Sequence, residues 1–146
     1  MAKTCILDAK TLGEDADFTV FDEFGEVVVY DTTSPENVVE RIRDCDIVIT
    51  NKVVLNGSNL QHAPLVKLIC VSATGTNNID LQYTQTRNIT VRNVAGYSTR
   101  SVVQHTFAML FYLLESLGYY DSYVKSGQYA ESKIFTHLDR ICYRQA

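Results

Sequence analysis

A chain of 146 residues holds one compact domain, or one domain with an appendage, and is long enough to bury a substantial core. Its 46% apolar and 21% charged residues are ordinary for a soluble globular protein. A formal charge of -4 offers no basic surface to a phosphate backbone, so nucleic acid is excluded as an expected partner.

Four short segments rich in Val, Ile and Leu alternate with segments of helical spacing: Thr4–Leu7, Glu26–Tyr30, Asp46–Thr50 and Lys67–Ser72, with Ile89–Val91 as a weaker fifth. Between the second and third, Ser34-Pro35-Glu36 predicts a helix start, with Ser as cap, Pro at the first helical position and Glu at the positive end. That helix runs to about Arg43 with Val38, Val39 and Ile42 on one face. Shorter helices are expected near Leu55–Gln61 and Leu81–Arg87, the second capped by Asp80. The strands are unbroken apolar runs, as in a parallel sheet covered by helices on both faces. Residues 1–97 therefore read as an α/β domain, a doubly wound parallel sheet of flavodoxin-like layout.

From Ser98 the pattern changes. Val102, Val103, Thr106, Phe107, Leu110, Phe111, Leu114 and Leu117 follow helical spacing over nearly five turns, opened by Ser98 or Thr99. The apolar surface of this helix is wider than one small sheet needs, which predicts a partner for it. Tyr119, Tyr120, Tyr123 and Tyr129 then form an aromatic, partly helical arm that completes a second unit, residues 98–146.

Cys5, Cys45, Cys70 and Cys142 are far apart, with no C-x-x-C pair and no histidines at zinc-ligand spacing. They read as reduced thiols, mostly small core residues, and no metal site is expected. The N-terminus lacks the regions of a signal peptide, so the cytoplasm is the expected compartment. The longest apolar run, Phe107 to Leu114, is too short to cross a bilayer, and no membrane association is expected.

In open parallel sheets ligands bind outside the carboxyl ends of the strands, so the loops there carry the chemistry. The richest is Ser72-Ala73-Thr74-Gly75-Thr76-Asn77-Asn78-Ile79-Asp80, where a glycine permits close backbone approach and consecutive amides can form an anion-binding concavity. By spacing alone it is first of all a strand-to-helix turn capped by Asp80. Thr50-Asn51-Lys52 places an amide and a cation at the end of the third strand, though a loop lysine is more often merely solvated. Asn93-Val94-Ala95-Gly96-Tyr97 joins the last strand to the long helix, and Gly96 is either hinge or plain connector. His62, His105 and His137 have no catalytic partner in the pattern, and no G-x-S-x-G elbow or Walker loop is present. Asp8 suits the phosphoacceptor of a receiver domain, but Thr50-Asn51 and Asn93 do not supply the remaining acid and lysine of that site.

The segments Ser72–Asp80 (S-A-T-G-T-N-N-I-D) and Asn93–Thr106 (N-V-A-G-Y-S-T-R-S-V-V-Q-H-T), at their mutual spacing, resemble the N-terminal half of D-isomer-specific 2-hydroxyacid dehydrogenases, most of all those of the glycerate dehydrogenase and hydroxypyruvate reductase type. The likeness runs from about Ile6 to Arg140. It implies that Ala73, Thr74 and Gly75 hold the carboxylate of a small 2-keto or 2-hydroxy acid, with Asn51 and Lys52 at the cleft edge. It also implies that the helix from Ser98 to Leu117 forms a homodimer interface.

In that family NAD(H) or NADP(H) is held by a G-x-G-x-x-G turn that follows a segment like Phe135–Arg140, and the catalytic arginine, glutamate and histidine lie beyond it. Here the chain reads Ile141-Cys142-Tyr143-Arg144-Gln145-Ala146 instead. The expectation is a substrate-binding portion truncated before the cofactor motif, without catalytic residues of its own, inactive alone and binding no cofactor tightly. The alternative is a non-catalytic module that regulates a full-length relative by pairing with it through the long helix.

Overall fold

The structure is a computed structural model that describes residues 1–134. It divides into two compact units, Met1–Tyr97 and Ser98–Ala146. The first holds five strands: β1 (Ala2–Ile6), β2 (Gly25–Val29), β3 (Ile47–Thr50), β4 (Leu68–Val71) and β5 (Thr90–Asn93). All pairings are parallel and the order is β2-β1-β3-β4-β5, the flavodoxin-like order expected from the sequence. The chain leaves β1 toward one edge, returns past it to β3, and so creates a topological switch point between β1 and β3.

Register explains the two faces. Paired residues in a parallel sheet point to the same side, and successive residues alternate. Cys5, Val48, Ile69 and Val91 form one row across the sheet; Ile6, Ile49, Cys70 and Arg92 form the opposite one. The first row belongs to the larger core, with Val38 and Ile42 of α1 (Val38–Ile42), Leu60 of α2 (Gly57–Leu60) and the partly buried Tyr83 of α3 (Leu81–Thr86) packed on it. The second face buries only Ile6, Ala9 and Ile49, flanked by Phe18 and Phe21 from 3-10 turns and their approaches. Within this unit the second face is thus covered by short 3-10 segments, Ala9–Leu12 and Thr19–Phe24, where full helices were expected.

Several boundaries differ from expectation for local reasons. The helix predicted from Ser34 opens as a 3-10 turn, Pro35–Asn37, and Ser34 makes no capping bond. Leu55 is withheld from α2 by a bridge to Ile79, and Asn56 caps the helix with its side-chain oxygen. Asp80 caps α3 as predicted, accepting from the Tyr83 amide at 2.9 Å. Cys5 and Cys45 are buried free thiols in the larger core and Cys70 is a half-buried one; Cys142 and His137 lie outside the described residues.

In the second unit α4 spans Thr99–Leu114, α5 Leu117–Lys125 and α6 Gln128–Ser132. The expected helix to Leu117 is therefore two helices. Ser116 takes a left-handed conformation, φ 51°, and ends the first. Gly118 lets the next turn approach the Tyr112 hydroxyl, where a Cβ would collide. Neither Ser98 nor Thr99 makes the expected capping bond. The tyrosine arm is fully helical from Leu117 to Lys125, with Tyr119 stacked on Tyr123 at 6.2 Å and Tyr129 edge-on to Tyr123 at 6.5 Å. No helix among the described residues is long and apolar enough to cross a membrane.

Candidate functional site

Asp8 follows β1 at the switch point and is only 4% exposed. Its carboxylate accepts hydrogen bonds from three consecutive amides: Asn51 at 2.8 Å, Lys52 at 2.6 Å and Val53 at 3.3 Å. The Thr50 hydroxyl adds a fourth contact at 3.3 Å. A buried carboxylate is tolerated when its lone pairs are met in this way, and here the partners are the last residue of β3 and the loop after it. One carboxylate thereby fixes the backbone of Thr50–Val53 against the end of β1.

The predicted site residues divide into two groups. Asn51 and Lys52 are neighbours in sequence but line different cavities. Asn51 joins Thr11, Leu12, Ser72, Val94 and Tyr97 around a cavity of about 320 Å³ at the ends of β3, β4 and β5. Lys52 faces a groove of about 600 Å³ with Asp8, Thr33, Val38 and Asn59. Lys52 is exposed and forms no ion pair among the described residues. Sequence reasoning treated the two as one edge, because a loop does not reveal which way consecutive side chains turn.

Ala73, Thr74 and Gly75 continue from Ser72 in the loop after β4. The carbonyl of Ala73 accepts from the Val94 amide at 3.1 Å, and that of Thr74 from Asn93 Nδ2 at 2.6 Å. The Thr74 hydroxyl donates to the Val94 carbonyl at 3.2 Å. The Ala73 and Thr74 carbonyls are thus engaged by the end of β5 and the residue after it, whereas the amides of Ala73, Thr74 and Gly75 donate to no group among the described residues. Nothing in the chain itself demands a glycine at 75: a Cβ there would meet only Asn77 Oδ1, at 3.9 Å. Three open amides beside an unobstructed glycine form a place where an anion can approach the backbone.

A family model for the catalytic domain of D-isomer specific 2-hydroxyacid dehydrogenases matches residues 6–137. The chain belongs to this family. It is 44% identical over 110 residues to a protein of Haemophilus influenzae assigned to the 2-hydroxyacid dehydrogenases, covering 75% of this chain and 35% of that one. It is 33% identical over 142 residues to the glycerate dehydrogenase of Methylorubrum extorquens, covering 97% of this chain and 45% of that one. In fold it resembles the D-lactate dehydrogenase of Aquifex aeolicus solved with NAD and lactic acid, with a TM-score of 0.70 at 24% identity over 95% of this chain and 40% of that one. The chain thus spans less than half the length of these family members.

The turns into α2 and α3 do not fit a dinucleotide. Pyrophosphate is held where a glycine-rich turn opens a helix N-terminus with free amides. The turn into α2 is closed by the Asn56 side chain, which accepts from Ser58 at 3.0 Å, and the turn into α3 is closed by Asp80, whose negative charge opposes an anion. Both helices are also short, four and six residues. No cluster of three or more metal-ligating side chains occurs among the described residues.

Sequence reasoning missed the structural weight of Asp8 and of Thr11, which donates to the Asp8 carbonyl and receives the Asn51 side chain. The available signal was an acid directly after a buried strand, at the point where parallel order reverses. Replacing Asp8 by Ala leaves the Asn51 and Lys52 amides without an acceptor, while Val53 keeps the Thr50 hydroxyl oxygen at 3.1 Å, and the expected loss is about 2–4 kcal/mol of unfolding free energy in urea titration, with Asp8→Asn intermediate. A loss below about 1 kcal/mol for Asp8→Ala would show that the clamp is dispensable.

Proposed function

We propose that this chain is the substrate-holding portion of an NAD(P)-dependent D-2-hydroxyacid dehydrogenase of the hydroxypyruvate and glycerate type. The carboxylate of a small 2-keto or 2-hydroxy acid is held by the amides of Ala73, Thr74 and Gly75, with Asn51 and Lys52 at the margins. The observation that carries this reading is the set of three amides, of Ala73, Thr74 and Gly75, that donate to no group among the described residues, while the carbonyls of Ala73 and Thr74 are tied away by Val94 and Asn93. Membership of the family and the likeness to a glycerate dehydrogenase support the class of acid. Hydride chemistry with NAD(H) or NADP(H) belongs to residues outside the first unit, because that unit offers no dinucleotide turn. The chain is therefore inactive alone: His62 and His105 are both exposed, and neither has a hydrogen-bonded or ion-paired carboxylate among the described residues.

The second unit supports a homodimer. Within α4, Phe107, Met109, Leu110, Phe111, Leu113 and Leu114 are all exposed, so a long apolar surface stands open along a helix of about 24 Å. The same surface serves the second reading, a module that pairs with a full-length relative; mixed dimers on co-expression would favour it. The compartment is the cytoplasm in either case.

Purified chain at high concentration is expected to oxidise no NADH with hydroxypyruvate or glyoxylate above the rate without substrate, and clear turnover would refute the incomplete site. Calorimetric titration with oxalate, a dicarboxylate probe of the loop, should show binding that Gly75→Val weakens at least about tenfold, with the thermal midpoint as the check of folding, since a Cβ at 75 makes only an ordinary contact, with Asn77 Oδ1 at 3.9 Å. Equal affinity in that variant removes the loop from the site. Leu110→Asp and Phe111→Asp place a charge in the proposed interface and should convert a dimer to monomer in sedimentation; a dimer that survives both changes lies elsewhere.

A further inference from the structure

The groove of about 600 Å³ lies at the switch point, among residues that follow β1, β2 and β3. Open parallel sheets receive ligands at such a crevice, and the volume is that of a small-molecule site. None of Ala73, Thr74 and Gly75 lines it, so it is not the carboxylate loop seen from another side.

Its lining has two characters. Pro35, Val38 and Val39 contribute apolar surface from the β2 side, and Val53 and Val54 from the β3 side, with Val54 standing 54% exposed. A hydrocarbon body laid against them removes that surface from water. The open polar groups are donors. Asn56 Oδ1 accepts from the amides of Ser58 and Asn59 at 3.0 and 3.4 Å, which fixes the orientation of the side chain and leaves its Nδ2 hydrogens without an acceptor among the described residues.

Lys52 supplies the charge. Its backbone is pinned by the 2.6 Å bond from its amide to Asp8 Oδ2, so the ammonium is tethered to a fixed point of the lining, and it forms no ion pair among the described residues. The one acid among the lining residues is Asp8, and both of its oxygens are taken by amides of the β3 loop. Arg41 stands behind the β2 rim. It donates to the Thr32 carbonyl and the Thr33 hydroxyl at 2.6 Å each and pairs with no carboxylate among the described residues. The field in the groove therefore favours an anion, and its apolar walls favour a carboxylate on a hydrocarbon body over a strongly hydrated phosphate.

We infer that this groove is a second ligand site, which takes a small monocarboxylate with an aliphatic or aromatic body. The carboxylate meets the Lys52 ammonium and Asn56 Nδ2, and the body lies against Val38, Val39, Val53 and Val54.

The probe is hydrocinnamate, titrated calorimetrically into the whole chain beside its neutral amide, hydrocinnamamide, and acetate, which lacks the apolar body. Hydrocinnamate is expected to bind at least about fivefold tighter than the amide and at least about tenfold tighter than acetate. Lys52→Met, which keeps the length of the side chain without its charge, and Val54→Asp, which puts a negative charge on an exposed lip, should each weaken hydrocinnamate about fivefold, with circular dichroism as the check of folding. Saturating oxalate, the probe of the Ala73–Gly75 loop, should leave the affinity for hydrocinnamate unchanged. Should one variant fail to fold, the other and the amide comparison decide. No binding of hydrocinnamate, equal affinity for its amide, or an undiminished affinity in the folded variants overturns the site. Displacement by oxalate makes the groove part of the substrate loop, and displacement by equimolar inorganic phosphate assigns it another class of ligand; either result overturns the inference as well.

Discussion

The grip of one buried carboxylate on three successive amides organises the ligand-facing end of the first unit. Asp8 ends β1, and the amides of Asn51, Lys52 and Val53 end β3, so the bond set spans the switch point where the chain changes direction across the sheet. It acts together with the loop's other ties, from the Val53 amide to Thr50 Oγ1 and from Asn78 Nδ2 to the Val53 carbonyl. With it, Asn51 is presented to one cavity and Lys52 to another, and the β3 loop becomes a dividing wall. The orientation of the Asn51 amide, set through Thr11, is a second consequence of the same anchor.

The sheet itself rests on an uneven division of apolar cover. One face carries the row Cys5, Val48, Ile69 and Val91 under α1, α2 and α3, and most of the buried side chains lie there. The other buries three residues beneath 3-10 turns. At about 25 cal/mol for each Å² of apolar surface removed from water, the first face contributes the greater share of the unit's stability. The loops of the candidate site lie on neither face but at the strand ends, where backbone groups run out of ladder partners.

The second unit poses the opposite problem. Its first helix has no buried residue, although its sequence is among the most apolar stretches of the chain. Such a surface is costly to leave in water. The left-handed Ser116 and the close approach at Gly118 bend the chain back on itself, so the arm that follows folds as its own short helices.

Much of the fold was legible because its signals are local. Runs of Val, Ile and Leu marked all five strands, Asp80 marked the start of α3, and the paired segments around Gly75 and Gly96 pointed to the dehydrogenase family that the family match then established. The errors were also local ones, where tertiary contacts outweighed propensity: Leu55 was drawn out of its helix by Ile79, Ser34 led into a 3-10 turn, and Ser116 broke a helix that periodicity alone continued to Leu117. Composition and spacing determined the α/β class and the parallel character of the sheet, since each follows from periodicity and residue type along the chain. Only the tertiary structure decided that Asp8 clamps the β3 loop, that Asn51 and Lys52 part company, and that the Asn51 oxygen is left unmet. Those facts depend on hydrogen bonds between residues forty or more positions apart, and no pattern along the chain encodes which donor meets which acceptor.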